Sequence, residues 1–205
     1  MKKKSFSISE AVGFGWNTVK KNLLLFVGLQ IISVLIDYAP SILKSSISKD
    51  QGALISLISL ASWVLQIGVS LGFLYIVLKF VDGEKAEFSD LFSQFKPRLL
   101  LNYFLAGLIG ALITIGGFLL FIIPGMIVAI RYSLSGFVLV DKNTGPLQSL
   151  STSWKITKGN FWKLCLFGLT LIGINLLGLL ALVVGLLVTM PLSMLAVAYA
   201  YRKLS

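Results

Sequence analysis

The chain has 205 residues, 57% of them hydrophobic and 13% charged, with a net charge of +10 and a mean hydropathy of +0.92. Soluble domains carry about 25% charged residues, so half that share points to a membrane protein. With no histidine and one cysteine, Cys165, an internal disulfide and Ser–His or Cys–His catalysis are excluded, and zinc lacks its usual ligands.

From the N-terminus, Lys2, Lys3 and Lys4 resemble the basic start of a signal peptide. Glu10, Asn17 and several glycines then interrupt the chain, and the apolar run begins only at Leu23. This pattern predicts an uncleaved first span. Helical spans need about 20 apolar residues to cross about 30 Å of hydrocarbon. Six are expected, at about 23–42, 53–81, 99–120, 123–140, 161–182 and 188–202. Only Gly116, Gly117, Pro124 and Gly125 separate the third from the fourth, and only Gly185 and Pro191 the fifth from the sixth. Such short connections predict antiparallel hairpins, with Pro124 and Pro191 in first helical turns. The fold expected is therefore all-α, a single transmembrane domain over 1–205.

With the N-terminus in the cytoplasm, inside segments hold fifteen Lys or Arg and outside segments only Lys44 and Lys49. That bias predicts a multi-pass protein with both termini in the cytoplasm. It also accounts for the positive charge without nucleic acid as a partner.

An internal repeat is visible. Trp16, Lys20 and Asn22 recur at the same spacing as Trp154, Lys158 and Asn160, each set preceding a span. Phe95, Lys96 and Arg98 form a weaker middle copy. An aliphatic residue stands four positions before each aromatic: Val12, Leu91 and Leu150. The pseudo-repeats fall at about 5–81, 86–141 and 144–203. Each reads as a short cytoplasmic amphipathic helix followed by a hairpin, with leaders at 8–19, 88–95 and 147–158. In each leader the apolar residues keep one helical face, and Ser7 with Glu10 suits a capping box for the first. Such helices lie in the interface and favour anionic lipid, or they seal the ends of the bundle. The expected anchors are Trp16, Phe95, Trp154, Lys20 and Lys158, with the two tryptophans buried in equivalent places.

Arg131 is the single charge within the apolar stretch 99–140, and a charge inside a span costs at least ~2.5–3.5 kcal/mol. Counting ~1.5 Å per residue puts Arg131 and Asp37 both ~9 Å from the outer surface. That agreement predicts an ion pair, serving either as a structural pin or as a polar site. Gln30, Gln66, Asn102 and Asn175 are expected to hydrogen-bond neighbouring helices. Gly68 and Gly72 form a GxxxG pair, a signal of close packing. Asp82, Glu84, Glu87 and Asp90 read as a solvated acidic face. No phosphate-binding glycine loop, dinucleotide fingerprint or catalytic carboxylate pair is present, so no cofactor, metal or catalytic residue is expected.

The segment from Phe121 through Pro124, Gly125, Arg131 and Tyr132, with Asp141, Gly145, Pro146 and the run from Ser153 to Gly159, resembles the YciC-like proteins. These are six-span bacterial membrane proteins of unsettled function. It is also similar to the membrane domain fused to some glycerophosphodiester phosphodiesterases. In those relatives the enzyme is a separate soluble domain, so the resemblance does not carry phosphodiesterase activity here. The three-hairpin mitochondrial carriers are set aside, because their Pro-x-Asp/Glu-x-x-Lys/Arg signature is missing at all five prolines. The function expected is a non-enzymatic membrane module that engages lipids, anionic ones first, or docks another protein. The alternative is a small-solute permease using Asp37 and Arg131.

Overall fold

The computed structural model describes residues 4–45, 47, 51–181 and 184–205. Lys2, Lys3, Lys49 and the Leu182 end of the fifth expected span lie outside the described residues. The described chain is helical throughout, with α1 Ile8–Lys21, α2 Leu23–Ser45, α3 Gly52–Val81, α4 Pro97–Leu120 and α5 Ile122–Tyr132. These are followed by α6 Ser135–Lys142, α7 Pro146–Thr157, α8 Phe161–Leu180 and α9 Leu186–Leu204.

Five stretches are long and apolar enough to cross a membrane: α2, α3, α4, the Ile122–Lys142 stretch and α8. The sixth expected span is present as α9 but is not among them. Thr189, Ser193, two tyrosines, Arg202 and Lys203 dilute its apolar character. Pro191 sits inside α9 rather than in its first turn. The Ile122–Lys142 stretch is broken at Ser133 and Leu134, which divide α5 from α6.

Two of the three expected leaders are helices. The Ser7 hydroxyl accepts the Glu10 N–H at 3.4 Å to open α1, and Lys20 and Lys21 close it where the helix dipole favours cations. The third leader is α7, with Pro146 at its start. The middle one is not an α-helix: 88–95 holds only a four-residue 3-10 turn, Phe88–Leu91. Glu87 and Asp90 cap that turn reciprocally, and Pro97 just beyond disfavours a helical Lys96.

The inner half of α3 forms the centre of the packing. Leu71, Ile76 and Val77 are fully buried, along with Phe26 and Leu29 of α2 and Leu195 and Tyr201 of α9. Gly68 and Gly72 serve this core, but not as a helix–helix notch. The Phe95 ring fills the space at Gly68, and the Leu91 backbone lies against Gly72. At Gly15 of α1, a Cβ would stand 2.6 Å from the Leu192 carbonyl, so only glycine lets α1 lie against α9 there. Helices α2 and α3, α4 and α5, and α8 and α9 are neighbours, while α7 packs on α4, α5 and α6.

Candidate functional site

Arg131 lies in the last turn of α5. Its guanidinium stands over the indole of Trp154, 5.4 Å from the ring centroid, and Tyr132 packs on the same indole at 5.7 Å. The backbone is fixed from α7, where the Ser153 hydroxyl donates to the Arg131 carbonyl at 2.6 Å. Leu150, one turn earlier in α7, rests near Gly110 of α4. The position of Arg131 is thus set by three helices. Its Nε and Nη1 are nevertheless buried without an acceptor. A guanidinium carries five N–H donors and stays charged, so these two nitrogens, which hold three of them, are an open electrostatic demand.

Asp37 does not meet that demand. The expected ion pair is absent: the salt bridges among the described residues are Lys79–Asp90, Arg202–Asp82 and Arg202–Asp141. The depths counted along the sequence did not bring the two residues together, because α2 packs on α3 and α9 while α5 packs on α4, α7 and α8. Asp37 instead lines a cavity of about 390 Å³ with Ser33, Gln66, Ser70, Phe73 and Tyr103 among its neighbours.

The expected anchors divide. Trp16 and Trp154 are 49% and 38% exposed, so the pair is not buried as the repeat predicts. Trp154 has Arg131 and Tyr132 as partners, whereas no ring contact of Trp16 occurs among the described residues. Their surroundings differ because α1 lies on α9 and α7 lies on the α4–α5 pair. Phe95 turns inward over Gly68 and also packs on Phe92 at 5.7 Å. Lys20 and Lys158 are exposed at the ends of their helices. Two of the amides make the expected hydrogen bonds to neighbouring helices, Asn175 Nδ2 donating to Ser193 Oγ at 2.9 Å and Gln30 Nε2 to Met190 Sδ at 3.5 Å, whereas Asn102 Nδ2 donates to the Thr144 carbonyl between α6 and α7 at 3.4 Å.

A second polar centre escaped the sequence reading. Arg202 near the end of α9 forks onto Asp82, with Nε and Nη2 donating at 2.8 and 2.7 Å. Its Nη1 donates to Asp141 at 2.6 Å, and the buried Tyr201 hydroxyl donates to the other Asp141 oxygen at 2.6 Å. One residue therefore ties together the ends of α3, α6 and α9. Asp82 had read as part of a solvated run, and so had Asp90. In fact Asp90 takes the Lys79 ammonium at 2.9 Å and the Glu87 N–H at 2.8 Å. Desolvation pushes the Asp90 carboxyl up, but these two donors outweigh it and hold it below the usual carboxylate range. The available signal was positional: Asp82, Asp141 and Arg202 each stand where an apolar stretch ends.

Residues 108–205 match a family described as "Protein of unknown function (DUF975)". Just under half of the chain is therefore similar to an uncharacterised family. The chain is also 30% identical over 146 residues to "Uncharacterized protein Rv2560" of Mycobacterium tuberculosis, covering 71% of this chain and 44% of the relative. The same figures hold for "Uncharacterized protein Mb2590" of Mycobacterium bovis. The chain spans less than half the length of these curated relatives. No solved structure matches it.

Proposed function

We propose that the chain is a non-enzymatic membrane module that engages anionic phospholipid at Arg131 and Trp154. One observation carries this reading: the Arg131 guanidinium, held over the Trp154 indole, has no carboxylate partner among the described residues. Inside an apolar stretch such a charge calls for an anion, and a lipid phosphate is the anion a bilayer supplies in quantity. Phosphate geometry suits a guanidinium fork, and an indole beside it suits the boundary between headgroup and chain. The broad apolar surface of α2, α4 and α8, with Leu24, Leu119 and Leu180 all highly exposed, fits direct contact with lipid.

The finer architecture belongs to the same proposal. Helix α9 is the sixth span, the spans form three hairpins, and α1 and α7 lead two of them at the cytoplasmic side. The bias in basic residues puts both termini in the cytoplasm. The kinship with YciC-like proteins and with the phosphodiesterase membrane domain extends the uncharacterised family in the same direction.

The test is thermal unfolding of the detergent-solubilised protein with added phosphatidylglycerol, phosphatidylcholine or inorganic phosphate. Stabilisation by phosphatidylglycerol that Arg131→Gln abolishes supports the reading. Equal stabilisation of both proteins, or an equal effect of phosphatidylcholine, contradicts it. An effect of inorganic phosphate equal to that of the lipid assigns the site to free anions instead.

A further inference from the structure

The cavity at Asp37 is separate from the Arg131 site and calls for the opposite charge. It is a half-open pocket lined by residues of α2, α3, α4 and α9, and Asp37 is exposed at it. Its polar lining is Ser33 and Asp37 from α2, Gln66 and Ser70 from α3, and Tyr103 from α4. Among the described residues Asp37 has no hydrogen-bonding or ion-pairing partner. Two of the neighbouring hydroxyls have their protons committed: Ser33 donates to the Leu29 carbonyl at 3.0 Å and Ser70 to the Gln66 carbonyl at 2.9 Å. Both therefore turn only oxygen lone pairs outward, and the ionised carboxylate adds acceptors alone. Gln66 and Tyr103 can donate as well as accept, so it is the Asp37 carboxylate, unpartnered among the described residues, that favours a cation.

The volume and the remaining lining decide which kind. About 390 Å³ lies within the ~300–1,000 Å³ range of small-molecule sites and far exceeds the ~30 Å³ share of one water. A bare metal ion needs six or more close oxygens and would rattle in that space. Phe73, Tyr103 and Met194 line the same cavity. Aromatic and thioether surface beside a carboxylate is the chemistry that recognises organic ammonium groups. A second cavity of about 270 Å³ shares Leu74 and Tyr103 with the first and continues to Ser133 and Ser135, so the space can take a ligand extended beyond its head.

We propose that the Asp37 cavity binds an organic ammonium group, with Asp37 as its counter-ion and Tyr103 and Phe73 as its apolar wall. The ammonium belongs either to a soluble amine or to an aminophospholipid headgroup. The test uses the full chain in phosphatidylglycerol nanodiscs, titrated by calorimetry with choline and ethanolamine, with sodium chloride at matched ionic strength. Saturable binding of an amine that weakens at least tenfold in Asp37→Asn and persists in Asp37→Glu supports the proposal. A helical circular dichroism spectrum and an unfolding temperature equal to the parent's show that Asp37→Asn is folded. Repeating the titration with phosphatidylethanolamine in the nanodisc separates the sources. Amine binding lost to competition assigns the lipid headgroup, and unchanged binding assigns the soluble amine. The proposal is overturned if neither amine binds in either nanodisc, if sodium gives the same signal, or if Asp37→Asn binds as the parent does. None of these outcomes bears on the Arg131 site.

Discussion

Arg202 and Arg131 are the same side chain in opposite circumstances. Arg202 spends three nitrogens on two carboxylates and closes the ends of α3, α6 and α9. Arg131 is fixed at its backbone, through Ser153, yet two of its nitrogens are buried with no acceptor among the described residues. The first arrangement is complete within the chain. The second leaves donors open among the described residues. Satisfaction of donors, rather than burial of charge, is what distinguishes a structural pin from a site.

The contrast can be broken most forcefully at Arg202. Arg202→Gln strands Asp82 and Asp141 together, and stability in detergent should fall by roughly 1.5–3 kcal/mol, the worth of hydrogen bonds to charged groups. Thermal or denaturant unfolding measures it, and a change under 0.5 kcal/mol would remove the pin. Arg131→Met should act with the opposite sign. In lipid-free detergent it relieves two unpaired nitrogens and should raise stability by about 1 kcal/mol, net of the lost contact with Trp154. A loss of stability there would mean that Arg131 has internal partners after all. Tyr201→Phe sharpens the comparison more gently, since it takes one donor from Asp141 and leaves Arg202 in place. The expected cost is about 1 kcal/mol, read from the same unfolding curves.

The smallest effect concerns the third satisfied pair. The Asp90 carboxyl is depressed in the folded protein, so its contribution is complete above the unfolded carboxylate value and is lost as pH falls through the folded one. Asp90→Asn should flatten the acid limb of the stability profile and leave the rest of the curve parallel to the parent's. An unaltered acid limb would show that Lys79 and the Glu87 N–H do not hold that carboxylate.

The helices were legible because runs of apolar residues of bilayer length have few alternatives once backbone groups must be satisfied internally. The start of α1 was legible too, from Ser7. The segment at 88–95 was not, because its helical phase of apolar residues also suits a turn whose Leu91 and Phe95 fold onto α3. Arg131 stood out as an isolated charge, but its neighbour did not. Depth along a helix follows from counting residues, whereas the order of helices around the bundle does not, and that order puts Trp154 rather than Asp37 beside the guanidinium. The Arg202 cluster was hidden for a related reason. Its members come from three helix ends far apart in sequence, and charges at helix ends look alike whether solvated or paired.

The account rests most directly on what occupies the two free nitrogens of Arg131. Native mass spectrometry of the parent and Arg131→Gln, released from phosphatidylglycerol nanodiscs, counts the lipids each retains. The account predicts that the parent keeps one more phosphatidylglycerol than the variant and no extra phosphatidylcholine when that lipid is substituted. Identical lipid counts for parent and variant would contradict it.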